Sequence, residues 1–216
     1  METGIRSIQL TIDNKSMTVF NQRSKLWQHH YDYITPQKAT LSSAGCGVFS
    51  ICHCGQYLTG REFVPEDLAD FSMANGGRGD DGTDRPALLA AMQEKGLAKE
   101  YGFYYNGDGL RNDLDTLREH LLRKRGVALC NLRVGHIVAL LGARKVSDTV
   151  QVLALDSYSE SMHERVVEHV YEVYEESKIV SDVYNDTGVK VGEKHQYALY
   201  WADSAIVRDF NLLHAL

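Results

Sequence analysis

The chain has 216 residues, enough for one domain that buries a sizeable hydrophobic core. Its 29 acidic and 23 basic residues give a formal net charge of -6, which argues against a nucleic-acid-binding function. No window approaches the roughly 18 apolar residues of a membrane span, and the first residues lack the basic head and apolar run of a signal peptide. We therefore expect a cytoplasmic protein with no nucleic-acid or membrane partner.

The amino-terminal half is predicted to be mainly helical after one or two opening strands. Residues 5–20 alternate loosely between apolar and polar, with Asp13-Asn14-Lys15 as a turn. From Cys46 to Leu58 apolar or small residues recur at helical spacing, which predicts a buried helix that ends before Gly60. Three further helices are predicted to begin at Pro65, at Thr83 or Asp84, and at about Asp113, with a Gly- and Asp-rich loop over residues 75–82.

The carboxyl-terminal half is predicted to form strands. Residues 127–132, 137–141 and 150–155 fit strands, and the second is apolar at every position, so we expect it to be buried on both faces. Residues 142–149 are polar and typical of a turn. Beyond Asp156, residues 160–177 combine helical spacing with a strand-like content of Val and Tyr, and residues 197–201 are expected to form the last strand. Helices followed by a sheet with short connections indicate the α+β class.

Three residues fit the parts of a cysteine-dependent catalytic site. Cys46 opens an apolar helix between two glycines, where helix N–H groups favour a thiolate and can hold an oxyanion. His136 directly precedes the apolar strand, and Asp156 directly follows the next one. If these strands form an antiparallel hairpin, His136 and Asp156 lie side by side, and the carboxylate can orient the imidazole as a general base. We therefore expect a Cys46–His136–Asp156 triad.

The same residues resemble the C39-like peptidases, a branch of the papain-like cysteine peptidase superfamily. The run Ser-Ser-Ala-Gly-Cys-Gly at 42–47 is similar to their nucleophile helix, which typically reads "SSGCGPTS". Gly-His-Ile-Val at 135–138 is similar to their "GHFVV" strand, and Leu155-Asp156-Ser157 stands where they read "NDP". The resemblance implies a papain-like fold, in which a helical half with a buried nucleophile helix packs on an antiparallel sheet. It also implies a single domain over residues 1–216, with a core of about 41–157 and an unrecognised extension of about 160–216.

By family role, Cys46 is the nucleophile, His136 the general base and acid, and Asp156 the residue that orients the histidine. The reaction implied is cleavage of a peptide bond through a thioester that water later hydrolyses. Papain-like enzymes usually carry a Gln six positions before the cysteine as second oxyanion donor, and here that position is Thr40, with Gln37 close but out of register. Thr40 is therefore the candidate for the oxyanion hole.

Other functions are compatible with this pattern. A papain-like scaffold that binds a peptide or protein without cleaving it fits the departure at Thr40, and an amidase or acyl transferase would use the same triad. A zinc site at Cys46, Cys52, His53 and Cys54 is disfavoured, because residues two apart on a helix diverge. The Gly- and Asp-rich loop over residues 75–82 lacks the ligand spacing of a calcium-binding loop. We expect no cofactor and no metal, and a peptide or protein substrate.

Overall fold

The computed structural model describes residues 5–33, 39–158 and 169–216. The helices are α1 (Leu41–Ala44), α2 (Cys46–Thr59), α3 (Pro65–Ala74), α4 (Arg85–Glu94), α5 (Leu97–Glu100) and α6 (Leu114–Leu122). The strands are β1 (Ser7–Ile12), β2 (Lys15–Phe20), β3 (Arg78–Gly79), β4 (Gly82–Thr83), β5 (Phe103–Tyr104), β6 (Gly126–Leu132), β7 (Ile137–Val146), β8 (Thr149–Leu155), β9 (Val170–Val173), β10 (Lys178–Tyr184), β11 (Lys190–Tyr197), β12 (Leu199–Asp203) and β13 (Val207–Ala215). The protein is thus a mixed α+β structure, as predicted.

The longer helices begin and end at the residues that the sequence marks. Helix α2 stops at Gly60, which adopts the left-handed conformation at φ 70° that a non-glycine residue resists. Pro65 is the first residue of α3, where its missing N–H group has no intrahelical partner to lose. The Asp84 carboxylate accepts a hydrogen bond from the Ala87 N–H group at 3.1 Å and so caps α4. These three predictions are confirmed.

A seven-stranded antiparallel sheet forms the centre, in the order β5-β13-β6-β7-β8-β12-β9. Alternate residues of β7 point to opposite faces: Ile137 and Ala139 join the cluster that includes α2, and Val138 and Leu140 join the cluster around α6. Because helices cover both faces, β7 is apolar at successive positions. The prediction of a strand buried on both faces is confirmed.

Two sequence-based expectations need correction, and a third segment that the sequence left open is now assigned. Residues 142–146 continue β7 instead of forming the turn, which is reduced to Ser147 and Asp148, with Ser147 at φ 52°. Residues 197–201 are not the last strand, because β13 follows and pairs with β6 in the middle of the sheet. Residues 160–177, for which the sequence left helix and strand open, form strand β9 and a 3₁₀ turn at Glu175–Ser177 where they are described, while residues 159–168 lie outside the described part. Long-range pairing, which local pattern does not encode, decides each of these cases.

The residues after Asp156 also contribute to the central sheet. Strand β12 pairs with β8, from Leu199 against Leu155 to Asp203 against Gln151. Strands β10 and β11 lie between β9 and β12 in the sequence and form a separate two-stranded hairpin. None of the helices in the described ranges combines the length and apolar character needed to cross a membrane.

Candidate active site

The first residue of α2 is Cys46, whose position depends on a glycine on each side. A Cβ atom at Gly45 would lie 2.5 Å from the carbonyl oxygen of Leu41, and one at Gly47 would lie 2.5 Å from the side chain of Thr83. Both distances are far below van der Waals contact, so neither position tolerates a side chain without a shift. The two glycines therefore let the short helix α1 and strand β4 close tightly around the cysteine.

Cys46 differs from the other three cysteines in exposure and acidity. It is partly exposed, whereas Cys52, Cys54 and Cys130 are buried, and all four are free thiols. Burial raises the pKa of each of the three buried thiols well above the ordinary value. Burial also acts to raise the pKa of Cys46, but the hydrogen bond and charge of His136 lower it below the ordinary value. The backbone N–H groups of Ile137 and Gly47 act on the thiol in the same direction and lower that pKa further.

His136 lies between the thiol and a buried carboxylate. It follows Gly135, which has φ 81°, and it directly precedes β7. Its Nε2 atom is 2.6 Å from Oδ1 of Asp156, so this nitrogen carries the proton and the other ring nitrogen is left for Cys46. Burial acts to lower the pKa of His136, but Asp156 and Cys46 together raise it to about 10. This arrangement favours a thiolate beside an imidazolium.

Asp156 is held by three hydrogen bonds inside the protein. Its side chain is fully buried, and besides His136 it accepts the backbone N–H of Tyr158 at 2.7 Å and the hydroxyl of Tyr200 at 3.0 Å. Its own backbone N–H donates to Ala198 at 2.8 Å, which fixes the end of β8 against the residue that precedes β12. The predicted hairpin is present, with Ala139 opposite Leu155, and it brings His136 and Asp156 together as expected.

Two tyrosines complete the surroundings of the histidine and the aspartate, and the sequence analysis missed both. The ring of Tyr158 meets the His136 ring edge-on, with centroids 5.8 Å apart, and the Arg23 guanidinium stacks on Tyr158. Tyr200 is fully buried on β12. Tyr158 stands two residues after Asp156 and could have been noticed for that reason. Tyr200 is 44 residues away and carries no local signal.

The structure places Thr40 at the start of α1, where its hydrogen bonds are local. Its N–H donates to Oγ of Ser43 at 2.9 Å, and its hydroxyl is 3.0 Å from Oγ of Ser42. The oxyanion role of Thr40 therefore stays a prediction. The other residue considered for that role, Gln37, lies outside the described residues.

Gln22 is a side-chain amide next to helix α1 that the sequence analysis missed. It is buried, its Oε1 accepts the hydroxyl of Ser157 at 3.2 Å, and its Nε2 donates to the carbonyl of Ser42 at 3.5 Å. Gln22 thus bridges the residue after Asp156 and the helix that leads to Cys46. No spacing rule points to it, because it lies 24 positions before the cysteine.

An open groove of about 680 Å³ begins at Cys46. Glycines 79, 82 and 135 line it together with Thr83, Ile137 and Leu110, and its polar lining consists of Asp81, Asp84, Arg85, Asn131, Arg208 and Asp209. Because glycines border the groove beside Cys46, an extended backbone can approach the sulfur closely. Within the described ranges, no group of three or more His, Cys, Asp or Glu side chains converges as metal ligands do.

No protein-family model, no curated protein and no solved structure matches the chain.

Proposed function

We propose that the protein is a cysteine-dependent hydrolase of papain-like type that cleaves peptide bonds with Cys46, His136 and Asp156. The observation that carries the proposal is the chain of contacts from a partly exposed thiol, through His136, to a buried carboxylate 2.6 Å from the imidazole. A buried aspartate with two further donors is suited to hold the imidazole in one tautomer and stabilise its charge.

The reaction proceeds in two steps, and each passes through a tetrahedral intermediate of the same geometry. The Cys46 thiolate attacks the amide carbon, and His136 gives its proton to the leaving amine as the C–N bond breaks, which leaves a thioester. His136 then takes a proton from water, the hydroxide adds to the thioester, and the C–S bond breaks to release a carboxylic acid. The Cys46 sulfur leaves as thiolate beside the reprotonated imidazole, so the site returns to its starting state.

For the oxyanion, the backbone N–H at the start of α2 supplies one donor, and we assign the second to Gln22 in preference to Thr40. The hydroxyl of Ser157 holds the carbonyl end of the Gln22 amide, and the 3.5 Å bond from Nε2 to Ser42 is long enough to be exchanged for a stronger one. A charged oxygen is the stronger acceptor. Replacing Gln22 by Ala should slow turnover by about 10²–10³-fold, while Thr40→Ala should have little effect.

The local hydrogen bonds of Thr40 also favour a second candidate function, a scaffold that binds a peptide or protein without cleaving it. An amidase or acyl transferase would use the same three residues, so the first proposal covers these reactions as well.

The rate of Cys46 alkylation by iodoacetamide against pH tests the proposal directly. Because the other three cysteines are fully buried, the native protein should take one label, and Cys46→Ala should take none. We expect a thiol pKa well below about 8.5 that rises towards this value in His136→Ala. An ordinary pKa that is indifferent to His136 would favour the binding scaffold instead. Digestion of a peptide mixture by wild type, but not by Cys46→Ala, then separates hydrolysis from binding.

A further inference from the structure

Arg208 stands at an irregularity of the sheet beside the groove. Val207 pairs with Leu132 and Asp209 with Asn131, so Arg208 is the extra residue of a β-bulge in β13. Bulges redirect the side chain of the inserted residue and are frequent beside functional sites. Arg208 lines the same groove as Cys46.

A buried ion pair holds Arg208 in place. Arg85, whose side chain is only 4% exposed, donates to Asp209 and also to the carbonyl of Leu129 at 3.1 Å. The other oxygen of Asp209 accepts the Nε–H of Arg208 at 2.9 Å. The Asp209 carboxylate is thus fixed from the interior and in turn orients the guanidinium of Arg208.

The outer part of that guanidinium remains available. The side chain of Arg208 is 53% exposed, and its hydrogen bond within the described part of the chain is donated by Nε to Asp209. Two arginines share one carboxylate here, so this wall carries a net positive charge. Asp81 and Asp84 also line the groove and keep their charges, although Asp84 caps α4, so the attraction for a carboxylate is confined to the N–H groups of Arg208. A planar pair of N–H groups with fixed orientation is the geometry that binds a carboxylate through two hydrogen bonds.

We propose that Arg208 binds a carboxylate of the substrate, so that the groove selects peptides with an acidic group near the bond that is cut. This inference rests on the proposed function and names the substrate class for the same site. The carboxylate can come from an Asp or Glu side chain or from a chain terminus, and the tests separate the two sources.

Peptidyl vinyl sulfones test the side-chain source, since they alkylate the thiol without needing turnover. A series of tripeptidyl probes carries Glu or Gln at each of the three positions, and mass spectrometry follows the modification of Cys46. At one position we expect Glu to react about tenfold faster than Gln, the ratio that one charge-assisted hydrogen bond supplies. Arg208→Gln should bring this ratio to about one, and Arg208→Lys should leave an intermediate value. Because the ratio compares two probes on one protein, a change in thiol reactivity cancels.

Arg133→Gln is the matched control, because Arg133 is an exposed arginine whose Nε donates to the carbonyl of Ala205 and which is outside the groove lining. It should retain the wild-type ratio. For the terminal source, short Gln-containing peptides with a free or an amidated carboxyl end compete against iodoacetamide. Stronger protection of Cys46 by the free acid, lost in Arg208→Gln, would assign the site to a terminal carboxylate.

The possible failures are distinguishable. A reactive Cys46 with equal Glu and Gln rates at every position, and equal protection by acid and amide, overturns the carboxylate site alone. A preference that persists unchanged in Arg208→Gln overturns it as well. A Cys46 that iodoacetamide modifies no faster than a simple thiol overturns the proposed function, and the carboxylate inference falls with it.

Discussion

His53, on the buried side of helix α2, should make the protein acid-sensitive. It is fully buried, its Nε2 accepts the backbone N–H of Phe20 at 3.1 Å, and its ring stacks on the Phe20 ring with centroids 5.2 Å apart. Accepting a hydrogen bond at Nε2 requires the neutral ring. Burial lowers the pKa of His53 to about 3, although Asp156 acts in the opposite direction.

The size of the stability loss at low pH follows from proton linkage. The unfolded chain binds a proton at His53 below about pH 6.5, whereas the folded protein does so only near pH 3, so the unfolded state holds more protons in this range. The free energy of unfolding therefore falls as the pH drops, by roughly 1.4 kcal/mol per pH unit, or about 5 kcal/mol over the whole interval. Above about pH 7 the contribution is complete and constant.

Urea unfolding of wild type and His53→Gln at several pH values measures this contribution. A glutamine at position 53 can offer its carbonyl oxygen to the Phe20 N–H and does not titrate. Between pH 6.5 and 4.5 wild type should lose about 2 kcal/mol more than the variant, because the unfolded chain is already half protonated at His53 at the upper limit. Burial also lowers the pKa of His120, to about 4, but this residue is present in both proteins and cancels in the difference. The two curves should run parallel from pH 7.5 to 8.5. Curves that stay parallel down to pH 4.5 would refute the reasoning.

Two substitutions test the packing of the site. Tyr200→Phe removes a 3.0 Å hydrogen bond to a buried carboxylate and should lower the free energy of unfolding by about 1.5–3 kcal/mol in urea; unchanged stability would mean that this hydroxyl does not hold Asp156. Gly47→Ala puts a Cβ atom 2.5 Å from the Thr83 side chain and should cost about 1–3 kcal/mol. Gly142→Ala is its control, since a Cβ atom there meets nothing within 4 Å. An equal loss of stability in the two variants would contradict the close approach of Thr83 to Gly47.

Features determined within a few neighbouring residues were predictable from the sequence. The helix from Cys46 to Thr59 follows from apolar spacing and from Gly60, because a helix repeats every 3.6 residues and ends readily at a glycine. The hairpin of β7 and β8 follows from two apolar runs with a polar connection, and it brings His136 beside Asp156 because antiparallel strands pair the start of one with the end of the other.

Contacts between distant parts of the chain were decided only by the tertiary structure. Strand β13 joins the sheet beside β6, which is about 80 positions earlier, and so it brings Arg208 to the groove. Gln22 and Tyr200 reach the site from the two ends of the chain, Gln22 through hydrogen bonds to Ser157 and Ser42 and Tyr200 through one to Asp156. The sequence alone predicted helix α2 and the position of His136 beside Asp156, because their geometry is local. The groove and the residues that hold His136 and Asp156 depend on the order of strands in the sheet, which no local period records.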